Sequence, residues 1–70
     1  MSHVYAISNL VGSSPKSIED AIDGAVKTAS KSLKNLEWFE VSEIRGHIEN
    51  GKVAHYQVAI RLGFRYQRGS

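Results

Sequence analysis

The chain has 70 residues, no cysteine, and a net charge of +2 from nine basic and seven acidic residues mixed along its length. This length allows one domain, spanning residues 1–70, and the absence of cysteine excludes disulfides and thiolate metal sites. The charge bias is too weak to argue for nucleic acid, and three histidines without clustered carboxylates give no recognisable metal set.

The first residues lack the charged-then-apolar pattern of a secretory signal. No apolar run approaches the roughly 18 residues needed to span a bilayer. The expected setting is soluble and cytoplasmic, without a membrane partner. So short a chain buries only about 60% of the surface its unfolded form exposes. Burial set against ordering entropy then comes out near zero. Self-association or a bound ligand is the expected further support.

"HVYAISNLVG" alternates, with Val4, Ala6 and Leu10 on one side and Tyr5, Ile7 and Val11 on the other, and ends at Gly12. It predicts a first strand with apolar residues on both faces. "SSPKSIEDAIDGAVKTASKSLKNL" then changes period: Ile18, Ala21, Ile22, Ala25, Val26, Ala29, Leu33 and Leu36 follow the spacing of an amphipathic helix. Ser14 before Pro15 suits an N-cap with proline at the first helical position. Glu19, Asp20 and Asp23 early, and Lys27, Lys31 and Lys34 late, complement the helix dipole. Gly24 costs about 1 kcal/mol against alanine there. Close approach of another backbone and simple tolerance both account for it.

From Glu37 to about Gln67 the pattern gives two long strands around "ENGK", because Asn-Gly is the favoured centre of a type I′ turn. Strict pairing from that turn sets Glu49 opposite Lys52, Val41 opposite Ile60 and Phe39 opposite Leu62. Phe39, Val41, Tyr56, Val58, Ile60, Leu62 and Phe64 then make one stripe for the helix to cover. Glu43, Arg45 and His47 fall on that same side. The other face collects Trp38, Glu40, Ser42, Ile44, Gly46 and Ile48 with Val53, His55, Gln57, Ala59, Arg61, Gly63 and Arg65. A bulge near Ser42 to Arg45 would re-aim Arg45. Otherwise the helix ends short of it and leaves it solvated or paired with neighbours. Arg61, Arg65 and Arg68 punctuate the last strand and its tail, while Gly69 and Ser70 resemble a tag remnant and carry no weight in the fold. The expected architecture is α+β: β-α-β-β, a three-stranded antiparallel sheet with one helix on one face.

The uncovered face is too mixed for a second core and too apolar to stay fully wet. Trp38 suits an anchor in a homo-oligomer interface. The other reading is a platform for a flat aromatic ligand, with Gln57 as both donor and acceptor. In strict register Gln57 faces Ile44, six residues from Trp38, so the two lie about 20 Å apart in one chain. If one ligand touches both, they come from different subunits. His47 and His55 suit edge or interface hydrogen bonds, and Tyr5 and Tyr66 packing. No side-chain set supports covalent or acid–base catalysis, and no glycine-rich phosphate loop is present, so the chain reads as a binder and not an enzyme.

"LVGSSPKSIEDAI", "WFEVSEIRGHIENGKVAHYQV" and "GFRY" together resemble the bacterial dodecins, small flavoproteins, over nearly the whole chain. The resemblance implies a sheet wrapped around one helix and twelve copies closing into a hollow homo-oligomer. It also implies FMN, riboflavin or a related flavin held as stacked pairs between subunits. Trp38 would stack on the ring system, Gln57 would hydrogen-bond its polar edge, and Arg45 and Arg65 would attend the ligand or its phosphate. Flavin storage with quenched photochemistry is the implied function. Coenzyme A or another anionic nucleotide at a second location is a further implied ligand. A purely structural oligomer and a single-stranded nucleic-acid platform are the readings from other classes.

Overall fold

The computed structural model describes residues 3–66. Strand β1 (Tyr5–Ser14) leads into helix α1 (Ile18–Ala29), followed by β2 (Leu36–Glu49) and β3 (Lys52–Arg65). The sheet order is β1-β3-β2, with both outer strands antiparallel to β3. This is the α+β, β-α-β-β architecture expected. Arg68, Gly69, Ser70 and the expected strand end near Gln67 lie outside the described residues.

The helix is shorter than its apolar spacing predicts. Its N-cap is Ser17, not Ser14: the Ser17 hydroxyl accepts from the Asp20 backbone N–H at 3.0 Å. Ser14 remains in the strand and is buried, accepting from the Lys16 N–H and donating to the Asp20 carboxylate at 2.7 Å. At the other end Ser30 caps the helix, and Leu33 N–H returns to the Ala29 carbonyl. Asn35, at φ 64, redirects the chain. Leu33 therefore packs on the core from a loop, and Leu36 does so from the start of β2.

Ala21 and Ala29 of α1 are buried against Val58, Ile60 and Leu62 of β3, with Leu10, Ile22, Ala25 and Val26 closing the sides. A Cβ on Gly12 would collide with the carbonyl oxygen of Ala21. Glycine is what lets β1 and the helix meet so closely. The core thus lies over β1 and β3. Twelve helical residues span about 18 Å, whereas each fourteen-residue arm of the β2–β3 hairpin spans about 46 Å. The hairpin overhangs its cover. Phe39 lies on the helix side, opposite Leu62, but is 49% exposed because the helix does not reach β2. The radius of gyration, 14.5 Å, exceeds the about 11 Å of a compact chain this long.

The hairpin turn has positive φ at Asn50 and Gly51, as a type I′ centre requires. Glu49↔Lys52, Ile48↔Val53, Val41↔Ile60 and Phe39↔Leu62 pair as strict register predicts. Between them, a shift at His47/Ile48 and another at Val41/Glu43 displace the segment from Glu43↔Ala59 to His47↔His55 by one residue. Ala54 on β3 and Ser42 on β2 are the extra residues. A one-residue slip exchanges faces. Glu43, Arg45 and His47 therefore lie on the uncovered face, not the helix side. Ile44, Gly46, Ile48 and Val53 lie on the helix side, not the uncovered face, around a cavity of about 270 Å³ shared with Ile18 and Tyr56. Of the two alternatives for Arg45, a bulge at Ser42 is what re-aims it, and it is also exposed and paired with Glu43, as the other alternative had it.

Candidate ligand-binding face

On the sheet face away from the helix, Trp38 pairs with Gly63. A Cβ at position 63 would fall on indole atoms Cε2, Cζ2 and Cδ2. Those three are mutual neighbours around the ring fusion, so the ring covers Gly63 with its face and not its edge. Tyr5 meets the indole edge-on, with ring centroids 6.3 Å apart and planes at 61°. Trp38 remains 39% exposed, which leaves the outward ring face available. Glycine opposite tryptophan thus makes a flat, supported aromatic platform.

Next to the platform, Arg65 donates from Nε and Nη2 to Glu37 Oε2, at 3.1 and 2.7 Å, and the Tyr5 hydroxyl donates to Glu37 Oε1 at 3.0 Å. The hydrogen bond from Arg65, and then that from Tyr5, holds the Glu37 carboxyl below its usual pKa. The same bond to Glu37 raises the Tyr5 hydroxyl above its usual value. Glu37 sits at a third register shift, between Leu36 and Trp38. Further along, Glu40 pairs with Arg61, and the Ser42 hydroxyl donates to the Ala59 carbonyl at 3.1 Å across the bulge.

Gln57 faces Arg45, not Ile44. Arg45 Nε donates to Gln57 Oε1 at 3.2 Å, and Nη1 to Glu43 Oε1 at 3.0 Å. The fold therefore gathers the expected residues into two groups on one face: Trp38 with Arg65, and Arg45 with Gln57. Gly63 and Gln57 are six positions apart on β3, about 20 Å at 3.3 Å per residue. The cavity beside Trp38, lined by Val26, Leu36, Glu37, Phe39 and Leu62, holds about 160 Å³. Sites that enclose a small molecule hold about 300–1,000 Å³. The cavity beside Trp38 is therefore too small to enclose a ligand within one chain.

Three residues of this face were not singled out by sequence reasoning. Gly63 forms the floor under the indole, and Glu37 with Tyr5 fixes Arg65. The pairing of Gly63 with Trp38 was implicit in the hairpin register, whereas the Glu37 contacts depend on the irregular start of β2 and on β1 lying beside β3.

A model of the dodecin family matches residues 4–67. The chain belongs to the dodecin family. The dodecin of Thermus thermophilus is 46% identical over 67 residues, covering 96% of this chain and 97% of that protein. The structure of dodecin from Streptomyces coelicolor has a TM-score of 0.90 at 46% identity, over 96% of both chains. The calcium-chelating calcium dodecin of Mycobacterium tuberculosis, described with a novel calcium-binding site, has a TM-score of 0.78 at 26% identity, again over 96% of both. In the present dodecin, no group of three or more histidine or acidic side chains converges as a metal cage among the described residues. No helix among them is long and apolar enough to cross a membrane.

Proposed function

We propose that the chain binds a flavin of the FMN or riboflavin type at the interfaces of a homo-oligomer, and stores it with its photochemistry quenched. The observation that carries this reading is the Trp38 platform: an indole pressed by one face onto Gly63, steadied by Tyr5, with the opposite face open. A flat conjugated ring gains dispersion and favourable quadrupole contact on such a surface. Contact between indole and isoalloxazine permits rapid electron transfer to the excited flavin, which quenches its fluorescence. The family membership points the same way.

Gln57 hydrogen-bonds the polar edge of the ring in this reading. Its distance from Trp38 along β3 requires that the two reach one ligand from different subunits. Arg45 and Arg65 attend the ligand or its phosphate, exchanging part of their contact with Glu43 and Glu37 for the anion. The exposed apolar residues Phe39, Val41, Ile44, Ile48 and Val53 support association of the overhanging hairpin with other copies. We take the assembly as a hollow dodecamer, cytoplasmic, acting in binding and storage and not in catalysis. Coenzyme A or a similar anionic nucleotide is a second ligand class for the arginines.

Size-exclusion chromatography with light scattering, on protein mixed with FMN, tests the reading. A large assembly that carries the visible flavin band with quenched fluorescence is expected. A large colourless assembly would leave a structural oligomer in its place, and a colourless monomer would remove both association and ligand. A salt-sensitive shift of a labelled oligonucleotide would instead favour the nucleic-acid platform.

A further inference from the structure

We propose that His47 and His55 form a chelating site for a divalent transition metal of the zinc, nickel or copper class, with zinc as the probe. The two residues oppose each other directly across β2 and β3, with ring centroids 5.5 Å apart and planes within 21° of parallel. In strict register His47 would face Ala54. The extra residue at Ala54 is what brings His55 opposite, and bulges commonly re-aim side chains at sites.

Facing residues of an antiparallel pair have Cβ atoms about 4.5–5.5 Å apart, and both imidazoles here project to the uncovered side. With metal–nitrogen distances of about 2.0–2.1 Å, two imidazoles on one tetrahedral zinc have ring centres about 5 Å apart. The pair already stands near that separation. The rings are stacked, and an imidazole lone pair lies in its ring plane, so binding requires each ring to turn about its Cβ–Cγ bond until one nitrogen from each faces the ion. Glu49 Oε2 lies 3.5 Å from His47 Nε2, close to the about 3.3 Å that separates a nitrogen and an oxygen bound to one zinc. A carboxylate is thus within reach of a cation held on His47. Both side chains of that pair are more than half exposed within the single chain.

The donor set selects the class of ion. Imidazole suits zinc, nickel and copper, whereas calcium and magnesium take oxygen ligands. The two imidazoles are the chelating donors and Glu49 stands beside His47 without completing a three-residue cage, so the site stays partly open to water and the ion exchanges. Arg45 and Gln57 are the next pair along the same face, and Glu43 already engages Arg45. The proposal does not rest on flavin binding and is tested without it.

Isothermal titration of zinc chloride into flavin-free full-length chain, in a non-chelating buffer, reads the site. We expect uptake of about one zinc per chain that is lost in His47→Ala and in His55→Ala, and unchanged in His3→Ala, which controls for the third histidine. Glu49→Gln weakens zinc about tenfold, as loss of a supporting carboxylate does. Cobalt gives a second readout, its visible spectrum gaining intensity in wild type and not in the two histidine variants. His47 is exposed and His55 is half-buried, and matching thermal melts without metal verify folding of both variants. Absence of zinc uptake, or uptake that survives either substitution, would overturn the proposal. Calcium uptake lost in the same two variants would overturn the assignment of ion class.

Discussion

The fit of Trp38 over Gly63 can be tested by placing a methyl group between them. In Gly63→Ala the new Cβ falls on the benzo ring of the indole, far inside the about 3.5–4.0 Å of an ordinary carbon contact. Gly63 does not have positive φ, so the backbone itself accepts alanine. Steric overlap with the indole is the whole cost, and overpacking of this kind costs about 1–3 kcal/mol. With Trp38 removed the sign reverses: at a compatible backbone position Gly→Ala stabilises by about 0.4–1 kcal/mol, by restricting the unfolded chain. A double-mutant cycle of Gly63→Ala and Trp38→Ala therefore carries a coupling of about 1.5–4 kcal/mol, the sum of those two terms. Thermal and denaturant unfolding of the four proteins at one protein concentration measures it. Gly63→Ala is expected to lower the melting temperature with Trp38 present and to raise it slightly in the Trp38→Ala background. Equal effects in the two backgrounds would refute the stacked platform.

Two helix-side glycines should behave oppositely. Gly12→Ala drives a Cβ into the Ala21 carbonyl and is expected to destabilise by about 2–3 kcal/mol, whereas Gly24→Ala, with nothing within 4 Å, should stabilise by about 1 kcal/mol in unfolding experiments. Destabilisation by Gly24→Ala would instead mean that a neighbouring chain approaches there. The Glu37 carboxyl has a lowered pKa in the folded chain, so its contribution is present above the ordinary glutamate range, about 4.3, and lost as pH falls through the folded value. Melting curves of wild type and Glu37→Gln should differ at neutral pH and converge below that range; a pH-independent gap would contradict the ion pair. Gln57→Ala should weaken FMN binding by about 1–3 kcal/mol in a fluorescence titration, and unchanged affinity would remove Gln57 from the site.

The elements themselves were legible because their signals are local. The change from period two to period 3.6 around Ile18 and the Asn50-Gly51 turn are written in consecutive residues; the turn appears where expected, and the helix lies within the expected segment though shorter at both ends. The capping serine was misread because Ser14-Pro15 imitates a helix start, while Ser17 lies three residues before Asp20, whose N–H it accepts. Bulges carry a weaker mark. Neither Ser42 nor Ala54 is unusual in a strand, yet together they turn Arg45 and His47 outward and Ile44 and Ile48 inward.

Helix cover is a similar case, since the apolar stripe on β2 says that something must cover it and not what does. Within the chain the helix stops short, leaving Ile48 69% exposed. Of the four expected site residues, Trp38, Gln57 and Arg65 were assigned to the correct face by alternation. Arg45 depended on the bulge. The contacts of Arg65 with Glu37, and of Glu37 with Tyr5, join residues from both ends of the chain, and strand order decides them where periodicity cannot.

The central claim is that an open indole face at Trp38 stacks on flavin. Titration of FMN with wild type and with Trp38→Ala, following flavin fluorescence, tests it most directly. The account predicts strong quenching and saturable binding for wild type, and for Trp38→Ala a large loss of both while the core of Val58, Ile60 and Leu62 keeps its fold by circular dichroism. Equal affinity and equal quenching in the two proteins would contradict it.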